Sequence, residues 1–84
     1  MYEQTVIFDL GSLNPNNTKE YTLIFDELEK VYGIVTYHDE ISGDTNWCFI
    51  DDFSITDNIV TIKLRNMNTS YEAEGNAMVV AVGK

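Results

Sequence analysis

With 84 residues, 44% of them hydrophobic and a single proline, the chain can build one folded core and has too little length for two. Fourteen carboxylates against five basic side chains leave a formal net charge of −9, which repels nucleic-acid phosphates and anionic membrane surfaces and argues against either as a partner. Cys48 is the only cysteine, so no disulfide can form within the chain; no apolar run is long enough to span a bilayer, and no signal-peptide order is present, so the mature chain is expected to begin at Met1.

The backbone preference is for strands. Val, Ile and Thr supply 23 residues, whereas Ala supplies three and Leu five, and β-branched side chains favour the pleated backbone. In chain order the first candidate strand is about 4–10, and the first residues of the chain, Tyr2 to Phe8, read as an edge or domain-exchanged strand. Asn14-Pro15-Asn16-Asn17 breaks the chain before a second strand at 20–26. A third is read at 31–38. Between these two, Phe25, Leu28 and Tyr32 stand at helical spacing, so a single short helical turn near 26–32 is the competing reading. A longer helix is opposed by the flanking Thr22, Ile24, Val31, Ile34, Val35 and Thr36, and by Gly33.

Ile41-Ser42-Gly43-Asp44 separates the third strand from a fourth at 46–55, where Asp51-Asp52 interrupts the alternation and marks a bulge or corner. Thr56-Asp57-Asn58 is a tight hairpin into the fifth strand, 59–66. There Val60, Ile62 and Leu64 alternate with Thr61, Lys63 and Arg65. An exposed loop from Asn66 to Gly75 leads to the last strand, 76–82. Six short strands in one domain over residues 1–84 imply an all-β fold, two packed antiparallel sheets or a small barrel, of which a six-stranded antiparallel β-sandwich is the chosen reading. Alternation assigns Val6, Phe8, Leu23, Phe25, Val35, Ile50, Val60, Ile62, Leu64, Val80 and Val82 to its core, together with Phe49 and Phe53. Cys48 is read as a small buried hydrophobe, since no basic neighbour in sequence lowers its pKa.

The order of Tyr21-Thr22-Leu23-Ile24-Phe25, then Val31 to Tyr37, then the aromatic-rich strand ending Phe53-Ser54-Ile55, then Ile59–Asn66, and last Val79-Val80-Ala81-Val82-Gly83 with its Ala-x-Gly ending resembles a known module. It is the small β-sandwich of H-type lectins and of tail-fibre, appendage and capsid-associated proteins of bacteriophages. The sequence departs from the lectins where it has Met78-Val79-Val80 in place of an aromatic in the last strand, and it lacks their proline before the second apolar strand. No sugar-contacting residue is carried over. The resemblance implies a β-sandwich and a virion context, with assembly in the host cytoplasm.

The constellations that bear chemistry are few. His38-Asp39-Glu40 joins an imidazole to carboxylates, the ingredients of a pH-sensitive group or a metal ligand, but without a nucleophile or oxyanion donors at catalytic spacing it reads as a solvated loop. Asp39/Glu40/Asp44 and Asp51/Asp52/Asp57 could offer oxygens to calcium, yet no Asp-x-Asp-x-Asp-Gly loop is present, and an acidic surface is the simpler reading. No cofactor, catalytic residue or metal ligand is therefore assigned. Asn16-Asn17-Thr18 and Asn68-Thr69-Ser70 match the glycosylation pattern and are read as turns. Trp47 and Tyr37, with the polar Asn46, Asp44 and Asn68 and the loop residue Tyr71, form the candidate surface for a sugar or a protein partner.

The expectation is a non-enzymatic virion structural protein, a capsid decoration or a tail or fibre attachment module. It would be a homo-oligomer in contact with other virion proteins. A carbohydrate-binding adhesin or receptor-binding module recognising a cell-surface glycan is the alternative.

Overall fold

A computed structural model describes residues 1–39 and 47–84. Within these residues the chain forms six antiparallel strands, β1 (Tyr2–Asp9), β2 (Thr18–Ile24), β3 (Val31–Asp39), β4 (Cys48–Thr56), β5 (Ile59–Asn66) and β6 (Asn76–Gly83). They make two three-stranded sheets, sheet 1 in the order β1-β6-β3 and sheet 2 in the order β2-β5-β4. This is the small all-β sandwich expected from the alternation. The stretch that competed for a helix is a turn closed by the Leu28 N–H donating to the Phe25 carbonyl at 3.0 Å.

Turn chemistry explains the connections. Asn17 N–H donates to the Asn14 carbonyl at 3.1 Å, with Pro15 and left-handed Asn16 (φ 62°) between them, the residue order a type II turn requires. Asp57-Asn58 is a two-residue loop between the paired Thr56 and Ile59, and Asp57 takes the positive φ of 54°. That hairpin also anchors the passage from sheet 2 to sheet 1, because Phe25 N–H bonds the Asn58 carbonyl at 2.9 Å and Val31 N–H the Asp57 carbonyl at 2.7 Å.

The core lies between the central strands. Val60, Ile62 and Leu64 of β5 face Ala77, Val79 and Ala81 of β6, and Leu10, Leu13, Leu23, Phe25, Leu28, Val31, Cys48 and Ala73 complete the buried set. Cys48 is buried as expected. Polar stitches join the layers. The Phe8 and Tyr21 rings meet at a centroid distance of 5.1 Å, and the Tyr21 hydroxyl donates to the Leu10 carbonyl at 2.6 Å. Buried Gln4 donates to Asp26 Oδ1 at 2.8 Å and accepts the Glu27 N–H at 2.9 Å, fixing β1 to the β2–β3 turn.

Five core assignments are corrected. In β6 Ala77, Val79 and Ala81 point inward and Val80 and Val82 outward, because a face with alanine at two of its three positions fits against the bulkier Val60, Ile62 and Leu64 of β5. Val35 is 55% exposed because β3 carries two bulges, one between Val31 and Gly33 and one between Ile34 and Thr36, and each expels its extra residue, Tyr32 and then Val35. Phe49 pairs with Arg65 on the outer face and is 59% exposed. Phe53 pairs with buried Ile62 and so points to the inner side, but β4 is an edge strand and the ring is left 50% exposed. The bulge expected at Asp51-Asp52 is present, between Ile50 and Asp52. Val6, Phe8 and Ile50 are partly buried against the core. The loop after β5 is less open than expected: Asn66 and Ala73 are fully buried, and Ala73 bridges to Leu13.

Candidate binding surface

The surface expected around Trp47 is built where β4 begins and β5 ends. Cys48 pairs with Asn66, and the pairing continues one step outward, the Met67 N–H donating to the Trp47 carbonyl at 2.8 Å. Trp47, Met67 and Tyr71 are all half or more exposed. The loop that holds Tyr71 is organised from beneath by Asn66. Its amide donates to the Leu13 carbonyl at 3.0 Å and to the Tyr71 carbonyl at 2.9 Å, and its Oδ1 accepts the Asn68 N–H at 2.9 Å. Asn66 is the inward-facing member after Val60, Ile62 and Leu64, so its parity signals a buried role that a loop assignment overlooks.

Asn68 continues the same scaffold: its side-chain oxygen accepts the N–H groups of Ser70 at 2.8 Å and Tyr71 at 3.0 Å. It shapes the loop. The structure thus brings Trp47, Asn68 and Tyr71 to one end of sheet 2. Tyr37 belongs elsewhere, half-buried on β3 opposite Val79 and packed on the core. Asp44 and Asn46 lie outside the described residues.

The acidic candidates are dispersed. Asp51 pairs with Arg65 Nε at 3.6 Å, both side chains 40% exposed, an ion pair of little weight in water. Asp52 Oδ1 accepts the Phe53 N–H at 2.8 Å. Asp57 sits in the hairpin at the far end of β4, about 17 Å along the strand from Asp52 at the usual rise per residue. Among the described residues no group of three or more His, Cys, Asp or Glu side chains is placed to hold a metal ion. His38 is exposed and opposite Met78, while Glu40 and Asp44 are outside the described residues. A shallow depression of about 110 Å³ on sheet 2, lined by Glu20, Asp52, Phe53, Ser54, Thr61 and Lys63, is small beside the ~300 Å³ or more of ordinary ligand pockets.

The two outer faces differ in chemistry. That of sheet 2 runs in cross-strand rows Thr18–Arg65–Phe49, Glu20–Lys63–Asp52, Thr22–Thr61–Ser54 and Ile24–Ile59–Thr56, polar through its middle rows with Phe49 at one end and Ile24 and Ile59 exposed at the other. That of sheet 1 runs Asp9–Asn76, Ile7–Met78–His38, Thr5–Val80–Thr36 and Glu3–Val82–Gly33, with an apolar column of Met78, Val80 and Val82 down the middle and a carboxylate near each end of β1. Exposed Tyr32 and Val35 stand at its margin. The pKa of Tyr21 is raised above 10.0 first by burial and then by the nearby Cys48 and Asp9. That group serves packing. No family model, no curated protein and no solved structure matches this chain.

Proposed function

We propose that the chain is a non-enzymatic assembly module, a structural unit of a bacteriophage particle that decorates a capsid or attaches to a tail or fibre and associates with copies of itself. The observation that carries the assembly role is the contrast between the two outer faces. On a chain of net charge −9, the three rows of sheet 1 around Met78, Val80 and Val82 hold one carboxylate, Glu3, with Asp9 in the row beyond them. Contact through that face removes apolar surface from water without bringing the acidic surfaces of two molecules together. The virion context rests on the sequence resemblance, and with it the location in a particle assembled in the host cytoplasm. The gene's surroundings test that context: flanking capsid, portal or tail genes support it, and a metabolic operon would overturn it.

The exposure of Trp47 beside Met67, with Tyr71 on the adjoining loop, favours a second reading as a glycan-binding adhesin module, since sugar rings stack on exposed aromatic faces. A glycan array with wild type and Trp47→Ala decides it. Specific binding lost in the variant supports the adhesin, and an empty array rejects it.

A further inference from the structure

Four strands form the edges of the two sheets, and three of them carry a device that discourages pairing with another chain. In β2, Lys19 stands opposite buried Leu64 on the inward side and lifts its ammonium over the Tyr21 ring at 5.6 Å. In β3 there are two bulges, and in β4 one bulge carries Asp51 at its centre. The remaining edge, β1, pairs with β6 through eight residues without a register shift, and Gln4-Thr5-Val6-Ile7-Phe8 within it holds no charge, glycine or proline. Among the described residues no strand pairs with its outer side.

Resting on the self-assembly reading above, we propose that β1 pairs antiparallel with β1 of a second copy about a two-fold axis at Thr5, joining the two sheets 1 into one continuous six-stranded sheet. Antiparallel partners share a face, so the register must match outward residues with outward residues. A two-fold at Thr5 sets Glu3 against the Ile7 position of the other copy, Gln4 against Val6, and Tyr2 against Phe8, with no like charges opposed. A two-fold at Val6 sets Glu3 against Asp9 twice, and like charges directly opposite are unfavourable. The Thr5 register also places the two apolar columns of Met78, Val80 and Val82 on the same side of the joined sheet. The result is a wider face for the next component of the particle.

Sedimentation velocity from about 5 to 200 µM, a range that brackets ordinary specific dimers, tests this with three variants. Wild type is expected to dimerise. Thr5→Lys, at an exposed position, is expected to keep the wild-type circular dichroism and melting temperature while weakening the dimer at least about tenfold, because it opposes two ammonium groups on the axis. Thr5→Glu behaves alike, and mixing the two variants is expected to restore a heterodimer. Thr22→Lys, on the β2 edge, leaves dimerisation unchanged. A dimer indifferent to Thr5→Lys overturns the β1 edge while leaving self-assembly intact, and a mixture that stays monomeric overturns the Thr5 register. A wild type monomeric at about 200 µM overturns the pairing and the self-assembly reading together.

Discussion

Gly83 offers a quantitative test of how the end of β6 is seated. A Cβ built there would lie 1.8 Å from the Lys30 carbonyl oxygen and 2.8 Å from its carbon, both backbone atoms that no rotamer change can move. Restoring a carbon–oxygen separation of about 3.3 Å requires the strands to part by roughly 1.5 Å. Parting them stretches the bonds at this corner, Lys84 N–H to Lys30 carbonyl at 3.0 Å and Glu29 N–H to Lys84 carbonyl at 2.6 Å. Two backbone bonds at about 1 kcal/mol each, plus an overpacking cost of about 1–3 kcal/mol, give a loss of roughly 3–5 kcal/mol for Gly83→Ala. For a domain of this size that lowers the melting temperature by about 12 °C or more, with the urea midpoint falling and its slope unchanged. Gly33→Ala is the internal control, since a Cβ there meets nothing within 4 Å, and it is expected to be neutral or to stabilise by a few tenths to about 1 kcal/mol. A Gly83→Ala protein that melts within about 3 °C of wild type would refute the close packing of β6 against Lys30, because the added carbon would then have found room.

Three further outcomes follow from the polar stitches. Asn66→Ala leaves the Tyr71 carbonyl and the Asn68 N–H without this partner and the Leu13 carbonyl with the Ala73 N–H alone, so a loss of about 2–3 kcal/mol is expected in urea denaturation. Asn66→Asp should cost more, since it swaps two needed donors for a buried charge. Tyr21 has a folded pKa above its ordinary 10.0, so its contribution is complete below pH 10 and is lost as the pH rises through the folded value; melting temperature against pH should fall there, more steeply than in Tyr21→Phe. Gln4→Ala removes both ties between β1 and the turn at Asp26-Glu27, and hydrogen exchange should show β1 amides losing protection before those of β5.

The strands were readable because most of them alternate. Val60, Ile62 and Leu64 announce both the strand and the face that is buried, and Asp51-Asp52 announces the bulge, since two consecutive carboxylates fit no alternating pattern. The β6 sequence Ala77-Met78-Val79-Val80-Ala81-Val82 is apolar at every step and so carries no information about parity. Choosing its larger residues for the interior reverses the strand. Leu10 continues the parity of Val6 and Phe8 just past β1, whereas Leu13, Leu28 and Ala73 fill the core from loops, where no periodicity marks them. The bulges of β3 follow from neither composition nor spacing, and with them the exposure of Val35 was hidden.

The residues that defied alternation are largely those that leave apolar surface outside. Val80 and Val82 face outward because the interior opposite β5 is full, and Val35 and Tyr32 because bulges expel them. Phe49 is outside because Cys48 and Ile50 take the inner side of β4. For a solitary molecule such side chains bring no packing gain, and substituting polar residues at 35, 80 and 82 would leave the buried set untouched. Four of these five, all but Phe49, lie on sheet 1, whose central column of Met78, Val80 and Val82 is apolar where the centre of the outer face of sheet 2 carries Lys63 and Arg65. Sheet 1 is also the sheet whose β1 edge lacks a bulge or an inward charge. An apolar column and an open edge on one sheet are the two surfaces that lateral growth and stacking each need, and this coincidence is the physical basis for proposing that the chain serves assembly.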